Sequence, residues 1–435
     1  MKGRRVPLTG LLAAHAVSLT GNMITFIALP LYVLDTTGSA SLTGVAAFFA
    51  VLPVVIGGAL GGVLVDRAGY RRTSIVTDLI GGATILAVPV LAATVGLPFW
   101  ALTLLIFATG LFDTPGRTAR SSLLPELAER AHVPLERAVG TFEALERGAR
   151  LVGGPVGGLL VALLGPVNTL VVNAATFAVS ALLVAWLVPK SVDVERMAGD
   201  SSPKAASSSY WHELGDGLAF LWRQRLLRAI MVLLVVTNFF DGAWTTVILP
   251  VFADRHLGGS VALGLLVAAM GGGALVGSLM FGVVGHRLPR RTLFVVSFLL
   301  CGGPRMLIFA AEPPLWLCLM TVAVAGLAAG SINPIIGTVQ LERTPPGMRA
   351  RVYGCMGAGA WAAMPIGALV AGVTVEHLGL TTTLLMLGSA YLLVVLSPLL
   401  GGPWRNMERP ERRSEERRVG KECQSVCRSR WSPYH

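Results

Sequence analysis

Two charged side chains stand inside long apolar runs, Asp241 in TNFFDGAW and Arg305 in CGGPRML. A charge near the centre of a bilayer costs roughly 2.5–3.5 kcal/mol on insertion scales, so each is a candidate for the wall of an aqueous cavity. A carboxylate in such a place can take up a proton or hold a cation, and competition between the two is the chemistry of an antiporter. Asp241 is therefore the candidate proton-coupling group, with a hydrogen bond between packed helices as its structural alternative. Arg305 has three readings: a pair with Asp241, a contact with an anionic substrate, or a side chain that snorkels to the nearer membrane surface. Asn22 and Asn238, with Trp244 and Trp361, supply hydrogen-bonding and stacking groups for a small-molecule cavity, although each also suits helix packing. No hydrolase triad, phosphate loop or metal-ligand spacing accompanies them, and Cys301, Cys318, Cys355, Cys423 and Cys427 form no disulfide framework. Neither an enzyme nor a bound metal or cofactor is expected, and a proton gradient is the expected energy source.

A second charge cluster, GGVLVDRAGYRR from Gly61 to Arg72, closes one apolar run and opens the next. Asp66 falls at a helix C-terminus, where unsatisfied carbonyls disfavour a carboxylate, so it needs cationic or helix N-terminal partners. Arg67, Arg71 and Arg72 supply the cations, while Gly62 and Gly69 permit close helix approach and a sharp turn. The pattern G-x-x-x-D-R-x-G-x-R-R between the second and third apolar segments resembles motif A, the signature loop of the major facilitator superfamily. The resemblance implies twelve transmembrane helices in two pseudo-symmetric six-helix halves. It also implies that the loop acts as a conformational latch, with Asp78 and Asp113 receiving Arg67, Arg71 or Arg72. In segment five, Gly154, Pro155 and Gly158 resemble the core of motif C of drug-exporting antiporters, with Arg150 and Leu159 departing from that pattern. TGSASLTGVAAFFAVLPVVIGGALGGVLVDRAGYRR and TARSSLLPELAE are similar to the branch that holds macrolide-efflux proteins and the enterobactin exporter.

The elements that must position these groups are legible in composition and spacing. The chain has 435 residues, of which 54% are hydrophobic and 14% charged, and its mean hydropathy is +0.68. That excludes a soluble globule and makes an all-α integral membrane protein. The net charge of +11 is dispersed among short connections rather than gathered on one face, so no nucleic-acid partner is expected. A ruler of about 20 apolar residues per helical crossing gives twelve spans. They run over 10–34, 41–65, 73–96, 98–114, 139–164, 166–188, 229–253, 260–285, 291–311, 313–338, 352–376 and 379–400. Residues 1–188 form one half, 189–228 a linker with an amphipathic helix anchored by Trp211, Leu218, Leu221 and Trp222, and 229–400 the other half. Residues 401–435 form a tail, in which 414–435 looks foreign to the chain.

Lys and Arg concentrate in alternate connections, with Arg255 alone on the other side, which places both termini in the cytoplasm of a bacterial plasma membrane. An offset of 220 superposes Leu29-Pro30 on Leu249-Pro250, Gly44 on Gly264, Arg67 on Arg287 and Arg71 on Arg291, an internal duplication suited to alternating access. The expected protein is a monomeric secondary transporter exporting small amphiphiles. Nutrient uptake by symport, or a non-transporting sensor or assembly protein on the same fold, remain the alternatives.

Overall fold

A computed structural model of the chain describes residues 2–190, 207–285, 287–345, 348–400 and 402–407; within these, residues 2–4, 58–64, 66–68, 207–214, 350, 398, 400 and 405–406 are described as backbone only. Ten helices are long and apolar enough to cross a membrane, and a shorter apolar helix, Leu380–Val395, follows them. One of the ten, Leu135–Leu187, is two crossings joined at Gly165, whose φ of 78° and ψ of 161° break the helix. A positive φ costs glycine little and other residues much, so this glycine allows a reversal with no intervening loop. The expected twelve spans in an all-α membrane fold are therefore present.

The spans are longer than an apolar ruler measures. The first runs Lys2–Thr37 and the fourth Phe99–Arg130, well past the expected 98–114, because polar segments such as TARSSLLPELAER remain good helix formers beyond the apolar stretch. Glu126 and Arg130 pair at 2.7 Å on its last turns. The seventh span starts at Arg225, inside the expected linker. The ninth is interrupted at Gly302, between Arg290–Cys301 and Gly303–Phe309. The eleventh is interrupted at Ala363, between Arg349–Ala362 and Met364–Leu378.

Helix Ser207–Arg223 precedes span seven. It does not present all its expected anchors to lipid. Leu221 is buried in the protein while Leu218 and Trp222 are exposed, and Asp216 lies 3.9 Å from Arg351 at the start of span eleven. A β-carbon on Gly217 would sit 3.2 Å from Arg351 Cβ, so the helix docks closely on the second half. The Trp211 side chain, the region 191–206 and the tail 414–435 lie outside the described residues.

Equivalent struts brace the two halves. Arg71, on span three, donates to the carbonyls of Val188 at 2.7 Å and Ala185 at 2.6 Å, at the end of span six. Arg291, its match at the offset of 220, donates to the carbonyl of Leu399 just after span twelve at 3.3 Å. Spans three and four share a hydroxyl pair, Thr84 with Thr109 at 2.8 Å, and spans nine and ten another, Ser297 with Ser331 at 2.7 Å. The duplicated sequence thus builds duplicated contacts. Each such bond inside a bilayer is worth roughly 1 kcal/mol.

Candidate functional site

Span seven carries the chemistry on a locally widened helix. The α-helix Arg225–Ala243 passes into a π-helical turn, Trp244–Ile248, before resuming as Leu249–His256. Such single-turn widenings displace side chains that a regular helix would align elsewhere. Here the turn follows Asp241 directly. Asp241 accepts a charge-assisted hydrogen bond from Arg305 of span nine, across 64 residues of sequence. Arg305 is fully buried, whereas the Asp241 side chain remains 30% exposed. The guanidinium also lies 5.0 Å from the centre of the Trp244 ring and 3.9 Å from Met270 Sδ of span eight. Of the three readings of Arg305, the pair with Asp241 is the one present. Trp244 does not line an open cavity, as the sequence suggested. It is fully buried, stacked edge-on against Phe309 at 4.9 Å, and serves as the floor under Arg305. A cation over an indole face gains about 2 kcal/mol when desolvated.

The remaining candidates separate. Asn22 donates to Asp113 at 3.0 Å, joining spans one and four. Trp361 is 45% exposed on span eleven. Asn238 is half-buried, one turn before Asp241. Asp78 is engaged by Arg120, at 2.8 and 3.0 Å, and by Ser180 at 2.6 Å. Asp78 and Arg120 are 2% and 1% exposed, a buried bidentate pair that ties spans three, four and six together. Asp113 thus takes Asn22, and Asp78 takes Arg120, in the places where the motif arginines were expected. Of the motif itself, Gly69 is described with a φ of 85°, the turn residue the spacing called for; Gly62 lies within the helix that ends at Ala68, and the side chains of Asp66 and Arg67 lie outside the described residues. Arg71 reaches span six, and Arg72 is exposed.

Sequence reasoning missed a cluster in the first half. Glu146 sits 2.6 Å from Arg117 of span four and 3.8 Å from His15 of span one. His15 is fully buried, stacked on Phe142 with ring centroids 3.7 Å apart, and neither of its ring nitrogens has a hydrogen-bond partner. A helical spacing of four would pair Glu143 with Arg147 and Glu146 with Arg150. Instead Arg147 donates to Ser278 of span eight, across the boundary between halves. A histidine near the start of an apolar run was the one available signal.

Glycines make the rest of that boundary. A β-carbon on Gly154 would lie 2.9 Å from the carbonyl of Gly264, and one on Gly158 3.3 Å from the Cα of Gly264, so spans five and eight pack backbone against backbone. Pro155 lies between them in the same seam. Spans two and eleven do likewise, where a β-carbon on Gly44 would meet the Cα of Gly372 at 3.0 Å. The motif C-like residues are thus boundary residues, and they do not touch Asp241's partner Arg305 among the described contacts.

Comparison with known proteins agrees with this architecture. The family model for the Major Facilitator Superfamily matches residues 11–255 and 231–432. The chain is 33% identical over 397 residues to a protein of Mycolicibacterium fortuitum named multidrug efflux pump Tap, covering 90% of this chain and 94% of that one. It is 23% identical over 391 residues to macrolide efflux protein A of Streptococcus pyogenes, covering 88% and 93%. Among solved structures, the nucleoside transporter NupG superposes with a TM-score of 0.71 at 16% identity, covering 92% and 98%. A D-xylose-proton symporter does so with a TM-score of 0.68 at 16% identity, covering 89% and 96%; at such identities the likeness is one of fold. Twelve spans in two braced halves, glycine seams between them and a family match over most of the chain converge: this protein belongs to the major facilitator superfamily.

Proposed function

We propose that the chain is a proton-driven exporter of small amphiphilic compounds in a bacterial cytoplasmic membrane, working as a monomer with both termini in the cytoplasm. The observation that carries the reading is the half-open Asp241–Arg305 pair. One partner is sealed in protein, while the carboxylate-bearing side chain of the other remains 30% exposed. A proton and a cationic group of a substrate then compete for one carboxylate whose resting partner is a fixed guanidinium. The names of the two relatives given above support export, and the excess of Lys and Arg in alternate connections supports the orientation.

The test is export of ethidium and of erythromycin by everted membrane vesicles under an imposed pH gradient. Wild type accumulates both when the lumen is acid, and Asp241→Asn loses the gradient-dependent part while keeping exchange of substrate down its own gradient. Transport that ignores the gradient sinks proton coupling; an undiminished Asp241→Asn variant sinks the role of Asp241.

A further inference from the structure

Glu376, the last carboxylate of span eleven, lies against a helix of the other half. Its Oε2 accepts from the backbone N–H of Ala40 at 2.8 Å, from that of Ser41 at 3.3 Å and from the Ser39 hydroxyl at 3.3 Å. These are the first donors of span two, which begins at Ala40. The donors of a helix start have no partner within the helix, and they carry the positive end of its dipole. Ser39 covers one of them, the N–H of Leu42, at 3.2 Å. Glu376 covers the next pair from across the molecule. Just beneath, the Ser41 hydroxyl lies 3.4 Å from the carbonyl of Gly372, and the Gly44–Gly372 contact continues the seam.

The pseudo-equivalent seam lacks this charge. Span eight begins at Ser260 after Gly259, which offers no side-chain cap, and meets span five through Gly158 and Gly154. At this end one of the two glycine seams is thus fastened by a carboxylate and the other by packing, its polar contact from Arg147 to Ser278 lying toward the opposite end of spans five and eight. Glu376 itself is exposed, so water reaches the carboxylate that fastens this seam.

The surroundings leave the charge of Glu376 to act mainly on span two. Neither residues 39–57 of span two nor Leu380–Val395 of span twelve carries a charged residue. His377 follows on its own helix and is exposed. At the same end of the bundle, span seven brings Asp254, Arg255 and His256, span one brings Asp35, and the turn before span ten brings Glu312. His256 lies 3.6 Å from Glu312, and Asp35 and Asp254 repel each other.

We propose that Glu376 is the proton-sensitive bolt of the gate at this end. As a carboxylate it binds the start of span two and holds the halves together; once protonated it loses the attraction of the helix dipole and most of its acceptor strength, and the end opens. Acid on the outer side then favours the outward-open state, which is the state that must take up protons in an exporter driven by them. Only the side from which the proton comes rests on the orientation proposed above; the bolt itself does not.

The experiment measures the gate without substrate. Spin labels are placed on Val95→Cys and Trp316→Cys, both exposed at this end and one in each half, with the native cysteines replaced and the protein in nanodiscs. Distances are recorded at about pH 8 and at about pH 3, which bracket the ordinary carboxyl range. At the higher pH, wild type shows mainly the short distance and Glu376→Gln shows about tenfold more of the long one, a shift corresponding to ~1.4 kcal/mol. Wild type moves toward the long distance in acid, Glu376→Asp still responds, and Glu376→Gln does not. An unchanged distribution in Glu376→Gln, or a pH response equal to that of wild type, overturns the proposal. Should Glu376→Gln fold poorly, the acid responses of wild type and Glu376→Asp decide it, and no response in either is the overturning result. Vesicle export that ignores a pH gradient would overturn the proposed function while leaving this measurement free to decide the bolt.

Discussion

Asp78 and Arg120 are both sealed from solvent, so removing one charge strands the other in a place where water cannot compensate. Asp78→Asn should lower stability by ~3–5 kcal/mol, whereas an apolar pair of similar volume, Asp78→Leu with Arg120→Met, should restore most of the loss. Thermal unfolding of purified protein in detergent reads both; a single variant as stable as wild type would mean that the pair contributes nothing. Asp241 and Arg305 differ in kind, because the Asp241 side chain is part-exposed. Depth made those two legible in the sequence, since any charge inside an apolar run stands out. Their partnership was not legible, because 64 residues separate them and neither residue constrains how spans seven and nine face each other. Arg120 was hidden for another reason: it lies in a polar stretch read as a loop, and only the continuation of helix four carries it back to Asp78. Glu146 was hidden by a sufficient local explanation, pairing at helical spacing, that the neighbouring spans override through Arg117 and His15.

Two spans that touch through backbone tolerate no side chain between them. A valine at Gly154 would drive its β-carbon to within 2.9 Å of the carbonyl of Gly264, forcing spans five and eight apart. Gly154→Val should therefore cut transport at least tenfold, with folding retained, since overpacking costs about 1–3 kcal/mol. Gly148→Val is the control, because nothing lies within 4 Å of its added β-carbon; equal losses in both would assign the effect to helix propensity and not to the seam. Apolar length announced every one of the spans, yet their ends escaped it, because a helix stops where its backbone is capped or broken and not where hydrophobicity fades. Gly69 and Gly165 did mark true ends. Each is a positive-φ glycine that a turn requires, and the sequence shows such residues as themselves.

The molecule alternates by moving one braced half against the other, so groups fastened at opposite ends should bias it in opposite directions. If Asp66 and its arginines hold the motif end shut, Asp66→Asn should shift the ensemble toward opening there, about tenfold for a contact worth ~1.4 kcal/mol. Spin labels across the motif ends of spans two and eleven report it; an unchanged distribution with normal turnover would reduce the loop to a determinant of topology. The duplication was legible as an offset of 220, and the struts from Arg71 and Arg291 show what it encodes. What no repeat could reveal is where the copies differ, and they differ at Glu376. The glycine seams have a further consequence for how such a protein changes over generations. A residue with no side chain can be replaced only by something larger, so drift at Gly44, Gly154, Gly158, Gly264 and Gly372 runs in one direction, toward jamming. Positions such as Asn238 and Trp361 carry no such restriction, because they are partly open to space and can grow or shrink. New cargo can thus be acquired by altering such positions while the hinge surface stays as it is, which lets a lineage broaden what it expels without rebuilding how it moves.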